Sequence, residues 1–140
     1  MRTLESWLSE YSESHQNKMN QKLHRICVPA IFFSILGMLW VLKLGFLNAA
    51  VVVAILILPF YVRLGIKALN LILPQLLVSF LILFFWEQQT TLSCLFYSCL
   101  TIFVVAWIGQ FIGHKIEGKK PSFFKDLQFL LIGPLWIFKK

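Results

Sequence analysis

Three histidines, His15, His24 and His114, are the side chains of this 140-residue sequence best suited to chemistry. A site of three imidazoles would suit a first-row transition metal such as Fe(II) or Zn(II), and it would leave coordination positions open for a substrate or O₂. The alternative is that each histidine is an interfacial side chain, with an apolar body and a polar tip in water. The neighbouring polar residues help to distinguish these two interpretations.

Polar residues accompany His114 at helical spacing. Gln110, His114 and Glu117 stand at i, i+4 and i+7, so they would project from one face at the end of an apolar helix. Polar groups placed there are candidates for function. The alternative for Glu117 is an exposed ion pair with Lys119 or Lys120, and the alternative for Gln110 is an interhelical hydrogen bond.

The N-terminal histidines lie on different helix faces. Asn20 and His24 share a face at i and i+4. His15 and His24 are nine residues apart, which at about 100° per residue is half a turn out of phase. Both can bind one metal ion only if the helix breaks between them, and we expect that break at 17–20. A continuous helix across 10–25 would argue against a shared site.

Four apolar segments must position these residues, at roughly 26–42, 46–62, 69–86 and 92–112. Each can cross or nearly cross a bilayer, which takes about 17–25 helical residues. With 59% hydrophobic and 14% charged residues, the chain is neither a water-soluble globule nor a disordered tail. We therefore predict an all-α membrane protein, a four-transmembrane-helix bundle forming a single domain over 1–140. Pro29, Pro59 and Pro74 are expected near span ends or in first helical turns.

The net charge of +7 indicates a membrane topology rather than a nucleic-acid partner. Of the 13 Lys and Arg residues, all except Lys43 lie before the first segment, between the second and third, or after the fourth. The positive-inside rule therefore places both termini in the cytoplasm, of either a bacterial inner membrane or the endoplasmic reticulum.

The two terminal segments are expected to be helices outside the spans. The N-terminal segment is polar and lacks the apolar core of a signal peptide. One apolar stripe predicts a cytoplasmic helix lying on the membrane or on the bundle, formed by Leu4, Trp7, Leu8 and Tyr11. The apolar segment Leu127–Phe138 is too short to span, so we expect it to be interfacial or re-entrant.

The polar residues at the two ends carry a resemblance to a known family. The stretch Tyr11-x3-His15-x4-Asn20-x3-His24-x4-Pro29 resembles the first sequence signature of a small membrane family that includes iron-dependent 2-hydroxy fatty acid dioxygenases of the endoplasmic reticulum. The stretch Trp107-x2-Gln110-Phe111-Ile112-Gly113-His114-x2-Glu117-x3-Pro121 resembles the second signature. The chain departs from the family at Cys27, where glycine is usual, and at Ser122, where alanine is usual.

The resemblance implies α-oxidation: an Fe(II) enzyme that uses O₂ to shorten a 2-hydroxy fatty acid by one carbon, with release of CO₂. It implies that His15, His24 and His114 are the metal ligands. Glu117 is then either a fourth ligand or the acceptor that orients an imidazole N–H. Substrate and lipid bilayer are the implied partners, and the oligomeric state is left open.

Three further side chains have roles that the resemblance leaves between alternatives. Asn20 and Gln110 either donate hydrogen bonds to substrate or bound O₂, or serve in helix capping and interhelical bonding. Tyr11 either orients the site or anchors its helix at the membrane interface, and the anchor is the favoured interpretation. The pair Gly109 and Gly113 predicts close helix packing.

Two non-enzymatic alternatives have the right size. A small four-span transporter would need an ionisable group deep in a span, and Glu87, at the end of the third segment, is the acid nearest to that position. A membrane-shaping scaffold would bind no metal and would tolerate loss of the histidines.

Overall fold

The computed structural model describes residues 3–13, 17–118 and 132–135, and these are mostly helical. Within those ranges, the side chains of five residues are outside the description: Glu10, Glu13, Leu44, His114 and Glu117. The elements are α1 (Leu4–Glu13), α2 (Lys18–Trp40), β1 (Lys43–Leu44), β2 (Leu47–Asn48), α3 (Ala49–Leu64), α4 (Ile66–Gln89) and α5 (Leu92–Glu117). The helical character of the prediction is confirmed, with one short hairpin added.

Within the described residues, three helices, α2, α4 and α5, are long and apolar enough to cross a membrane. The outward faces of α4 and α5 carry large apolar side chains, such as Phe85 at 62% exposed and Val105 at 62% exposed. Water disfavours so much exposed apolar surface, so these faces suit lipid. α3 has 16 residues, about 24 Å at 1.5 Å per residue, which is shorter than the hydrocarbon core. The protein is therefore a helical membrane protein, and the fourth span stays a prediction.

Of the four residues at which a helix break is expected, Asn17 is not helical, whereas 18–20 belong to α2. α1 ends at Glu13 and α2 begins at Lys18, so residues 18–20 are already helical. Asn17 directly precedes α2, and its Oδ1 accepts a hydrogen bond of 2.9 Å from the backbone N–H of Met19. A side chain that accepts from an unpaired N–H of the first turn stabilises the start of a helix, so Asn17 caps α2.

The three prolines lie inside helices, whereas we expected them near span ends or in first helical turns. Pro29, Pro59 and Pro74 lie inside α2, α3 and α4. Each removes one backbone hydrogen bond of its helix. Membrane helices tolerate this because neighbouring groups can satisfy the freed carbonyl.

The chain divides into two compact units, one formed by Phe33–Phe103 and the other by Met1–Phe32 together with Val104–Lys140. The prediction of one domain over 1–140 stays a prediction. In the first of these units, Gly65 adopts φ +110° and connects α3 to α4. The two helices contact each other, and each buries residues at helical spacing, which are Ala50, Ala54 and Tyr61 on α3 and Ala68, Ile72, Leu76, Ser79 and Leu83 on α4.

The hairpin of the same unit ties the end of α2 to the end of α4. Gly45, at φ +61°, permits the two-residue turn between β1 and β2. The Lys43 ammonium forms an ion pair with Glu87, and the Trp40 indole N–H donates to the Glu87 Oε2 at 3.1 Å. The charge of Glu87 is therefore balanced by Lys43 at a helix end, and this ion pair has a structural role.

Candidate functional site

In the other unit, α2 buries two polar side chains on one face. Asn20 is completely buried and His24 is 2% exposed. Their i, i+4 spacing on a continuous helix places them side by side, as predicted. Because a buried polar group without hydrogen bonds is costly, the partners of these residues define the site.

The His24 ring is oriented by the backbone of its own helix. Its Nδ1 lies 3.0 Å from the carbonyl oxygen of Asn20. A carbonyl oxygen can only accept, so Nδ1 must be the nitrogen that carries the proton. In the neutral imidazole, Nε2 then holds the lone pair. A hydrogen bond from one ring nitrogen to a backbone carbonyl is also how metal-ligating histidines are commonly held, so His24 has the donor chemistry of a metal ligand.

α5 approaches this face of α2 through its glycines. A Cβ built on Gly113 would lie within 3.0 Å of the Asn20 Oδ1 and 3.2 Å from the His24 Cε1. One turn earlier, a Cβ on Gly109 would lie 2.5 Å from the Cys27 sulfur. The prediction that these glycines allow close helix packing is therefore confirmed, and the side chains that occupy the space are those of α2.

Gln110 is buried on α5 between these two glycines. It is 7% exposed, and it stands one turn before Gly113. Its Oε1 is buried and accepts no hydrogen bond from any described residue. Leaving a buried acceptor unsatisfied costs about 1–3 kcal/mol, so this atom is a candidate ligand-binding group.

Tyr11 brings α1 onto the site. Its side chain is 3% exposed and its ring meets the His24 ring edge to face, with centroids 6.4 Å apart and planes at 82°. The favoured interpretation of Tyr11 as a membrane-interface anchor is therefore wrong. An apolar stripe on a short helix looks the same whether it faces lipid or protein, and here its buried end packs on α2.

A helical turn at 132–135 packs against the same two elements. A Cβ built on Gly133 would lie 2.7 Å from a Val28 methyl carbon and 3.3 Å from the Tyr11 hydroxyl oxygen. Ile132 and Leu135 are buried as well. The remainder of Leu127–Phe138 lies outside the described residues, so its interfacial or re-entrant placement stays a prediction. Sequence reasoning assigned no role to Gly133, and the Gly-Pro pair at 133–134 was the only signal for a close contact there.

The three-histidine site stays a prediction. His15 lies outside the described residues, and of His114 and Glu117 only the backbone position on α5 is described. Among the described side chains, no three His, Cys, Asp or Glu residues gather in a group that could hold a metal ion. The structure thus places His24, Asn20 and Gln110 on elements that meet at Gly113.

Comparison with known proteins places the chain in a family. The model of the Mpo1-like family, described as 2-hydroxy-palmitic acid dioxygenase Mpo1-like, matches residues 1–140. The 2-hydroxy-palmitic acid dioxygenase MPO1 of Saccharomyces cerevisiae is 31% identical over 137 residues, which are 96% of this chain and 76% of the yeast protein. No solved structure matches the chain. With a family model that spans its full length and a relative of this identity, the chain belongs to the Mpo1-like (2-hydroxy-palmitic acid dioxygenase) family.

Proposed function

We propose that this protein is an Fe(II)-dependent dioxygenase that converts 2-hydroxy fatty acids to fatty acids one carbon shorter, with release of CO₂. The observation that carries the proposal is the buried His24, whose Nδ1 is held by a backbone carbonyl and whose ring lies against Gly113 of α5. The neighbouring residue of α5 is His114. Family membership supplies the substrate class.

Three imidazoles form the proposed metal site. His15, His24 and His114 would hold Fe(II), and Glu117 would act as a fourth ligand or accept an imidazole N–H. Bound Fe(II) would supply binding and activation of O₂. The Asn20 carbonyl keeps the His24 ring in one tautomer and one orientation, with its lone pair on Nε2.

The overall reaction balances without an added reductant. A 2-hydroxy fatty acid and one O₂ contain the atoms of the shortened fatty acid, one CO₂ and one water. The C–C bond between the carboxyl and hydroxyl-bearing carbons breaks, and the substrate supplies all four electrons that O₂ accepts. No second cofactor is therefore required.

The remaining polar residues would bind and shield the reacting end of the substrate. Asn20 and Gln110 are buried amides near His24, and we assign them to substrate or O₂ binding. Tyr11 covers one edge of the His24 ring and keeps water from it. The acyl chain would extend along the apolar helices, which accounts for a membrane-embedded enzyme.

The proposed enzyme is a single membrane-embedded domain with four spans and both termini in the cytoplasm, in a bacterial inner membrane or the endoplasmic reticulum. The distribution of Lys and Arg supports this topology. The candidate site then faces the cytoplasm. Labelling of single cysteines introduced at each loop, with a membrane-impermeant reagent, tests the four spans directly.

The function is tested on purified full-length protein in detergent. Bound iron is quantified, and O₂ uptake and CO₂ release are measured with 2-hydroxyhexadecanoate. We expect the folded wild type to bind iron and to consume O₂ with this substrate, and His15→Ala, His24→Ala and His114→Ala to lose both properties. Gln75→Met, a change in the other compact unit, is the control and should retain both.

Two results would contradict the proposal. A folded wild type that binds no transition metal would favour a non-enzymatic four-span protein, either a transporter or a membrane-shaping scaffold. Histidine variants that keep full activity would show that the imidazoles do not hold the metal. Size-exclusion chromatography of each variant separates loss of the metal from loss of the fold.

A further inference from the structure

We infer that Gln110 is the residue that selects 2-hydroxy acids over unsubstituted fatty acids, by accepting a hydrogen bond from the substrate's 2-hydroxyl group. This inference rests on the proposed function and deepens it. The inference starts from a buried acceptor atom. Gln110 is only 7% exposed, and its Oε1 receives no hydrogen bond from the part of the chain that the structure describes.

The position of Gln110 places it beside the candidate metal ligands. Gln110 and Gly113 are three residues apart on α5, and this spacing places neighbours on one helix surface. The Gly113 backbone lies against Asn20 and against the ring of His24. Gln110 therefore lies within about one helical turn, about 5 Å along the axis, of the level at which α5 meets His24.

The chemistry of the reactants leaves one partner for this atom. A glutamine Oε1 is an acceptor, so its partner must carry a hydrogen that it can donate. An ionised carboxylate, an acyl chain and O₂ are not donors. Of the groups that the substrate and O₂ bring, only the 2-hydroxyl can donate to Gln110, and an unsubstituted fatty acid leaves the buried Oε1 unsatisfied.

This difference predicts a measurable selectivity. A site built to hydrogen-bond a hydroxyl group discriminates against the analogue that lacks it, because the buried partner is then left without its bond. For one neutral hydrogen bond to a buried acceptor, we expect a preference of about tenfold for the hydroxy acid.

The test measures how much more weakly hexadecanoate binds than 2-hydroxyhexadecanoate, as the ratio of the first dissociation constant to the second. The protein is metal-free and full-length, in detergent. The ligands are hexadecanoate and 2-hydroxyhexadecanoate, titrated calorimetrically, so the readout is independent of turnover. Gln110→Met keeps the length of the side chain and removes the acceptor, and its ratio should fall to about 1, a loss of about tenfold. Gln110→Glu keeps an acceptor oxygen, so its ratio should stay near that of the wild type even if both acids bind more weakly.

Gln75→Met is the matched control. Gln75 lies on α4, and its Nε2 donates to the Leu71 carbonyl at 2.9 Å, so its amide already has a local partner. Its ratio should equal that of the wild type. If Gln110→Met keeps the wild-type ratio, or if the wild type itself shows no preference, the inference is overturned.

These outcomes are distinct from failure of the proposed function. A wild type that turns over 2-hydroxyhexadecanoate but binds both acids equally refutes the role of Gln110 and leaves the dioxygenase proposal intact. A wild type that neither binds iron nor consumes O₂ with this substrate refutes the dioxygenase proposal, and with it the inference.

Discussion

Gly113→Ala tests the close approach of α5 to the candidate site. The new methyl group would lie within 3.0 Å of the Asn20 Oδ1, 3.3 Å from the Asn20 Cγ and 3.2 Å from the His24 Cε1. To restore an ordinary contact, either Asn20 or the α5 backbone must move by about 1 Å. A shift of the α5 backbone would also change its contact with the His24 ring, whose Cε1 lies 3.2 Å from the added Cβ.

Two opposing effects set the size of the stability change. An alanine in a helix interior is favoured over glycine by about 1 kcal/mol, so this substitution in open space would stabilise the protein. Overpacking costs about 1–3 kcal/mol. We expect overpacking to dominate, with a net loss of about 1 kcal/mol, and a fall in turnover of about 100-fold because of the displacement near the metal site.

The assay is turnover of 2-hydroxyhexadecanoate, together with the unfolding equilibrium in detergent. Gly37→Ala is the matched control, because its Cβ would crowd the Cys99 sulfur within 3.0 Å and the Leu83 Cδ2 at 3.3 Å, in the other compact unit. This control should lose a similar amount of stability and keep much more activity.

A double variant tests whether the Asn20 side chain causes the loss of stability in Gly113→Ala. Asn20→Ala removes the Asn20 Oδ1 and Cγ, two of the three atoms nearest to the added methyl group, and leaves the His24 Cε1 at 3.2 Å. Adding Gly113→Ala to Asn20→Ala should therefore cost little further stability, with a coupling of about 1–2 kcal/mol between the two changes. A Gly113→Ala variant as stable and active as the wild type, or two losses of stability that simply add, would contradict the close contact between Gly113 and Asn20.

Three further predictions concern the contacts around the two ends of α2. In ¹⁵N NMR spectra of the metal-free protein, neutral His24 should be protonated at Nδ1, since that nitrogen faces a carbonyl oxygen. A signal from protonated Nε2 would contradict this tautomer. Tyr11→Ala should lower the free energy of unfolding by about 3 kcal/mol, because the ring is buried against His24. It should also increase protease cleavage within α1. Unchanged cleavage would mean that α1 is held by other contacts. Glu87→Gln should destabilise the protein by less than about 1 kcal/mol, since the ion pair with Lys43 is partly exposed. The difference in stability from the wild type should shrink at high salt. A loss of several kcal/mol would show that the pair is more strongly desolvated than its exposure indicates.

Local periodicity made part of the site predictable. Asn20 and His24 lie side by side because four residues are about one helical turn, and no tertiary contact is needed for that. The close approach at Gly109 and Gly113 followed from their four-residue spacing. The expected break at 17–20, which a metal site shared by His15 and His24 would require, agrees with the structure at Asn17 but not at 18–20, which are helical.

For other features, the local sequence did not distinguish between the possible structural roles. The stripe of α1 suits a lipid surface and a protein surface equally well, so only the fold could bury Tyr11 against His24. The three prolines suit helix ends by their own chemistry, and the membrane environment tolerates them inside α2, α3 and α4. The partners of Gly113 and Gly133 are side chains distant in the sequence.

Hydrophobicity and helical spacing are local properties, so they are enough to indicate a helical membrane protein with candidate polar residues near both ends of the chain. The family resemblance on those residues was confirmed over the whole chain. The approach of α5 to α2 depends on the tertiary structure: the Gly113 backbone lies against Asn20 and His24, and Gln110, one turn earlier, is buried with an acceptor that no described residue satisfies. Those facts depend on how helices distant in sequence pack together, and packing is set by the shapes of both partners at once.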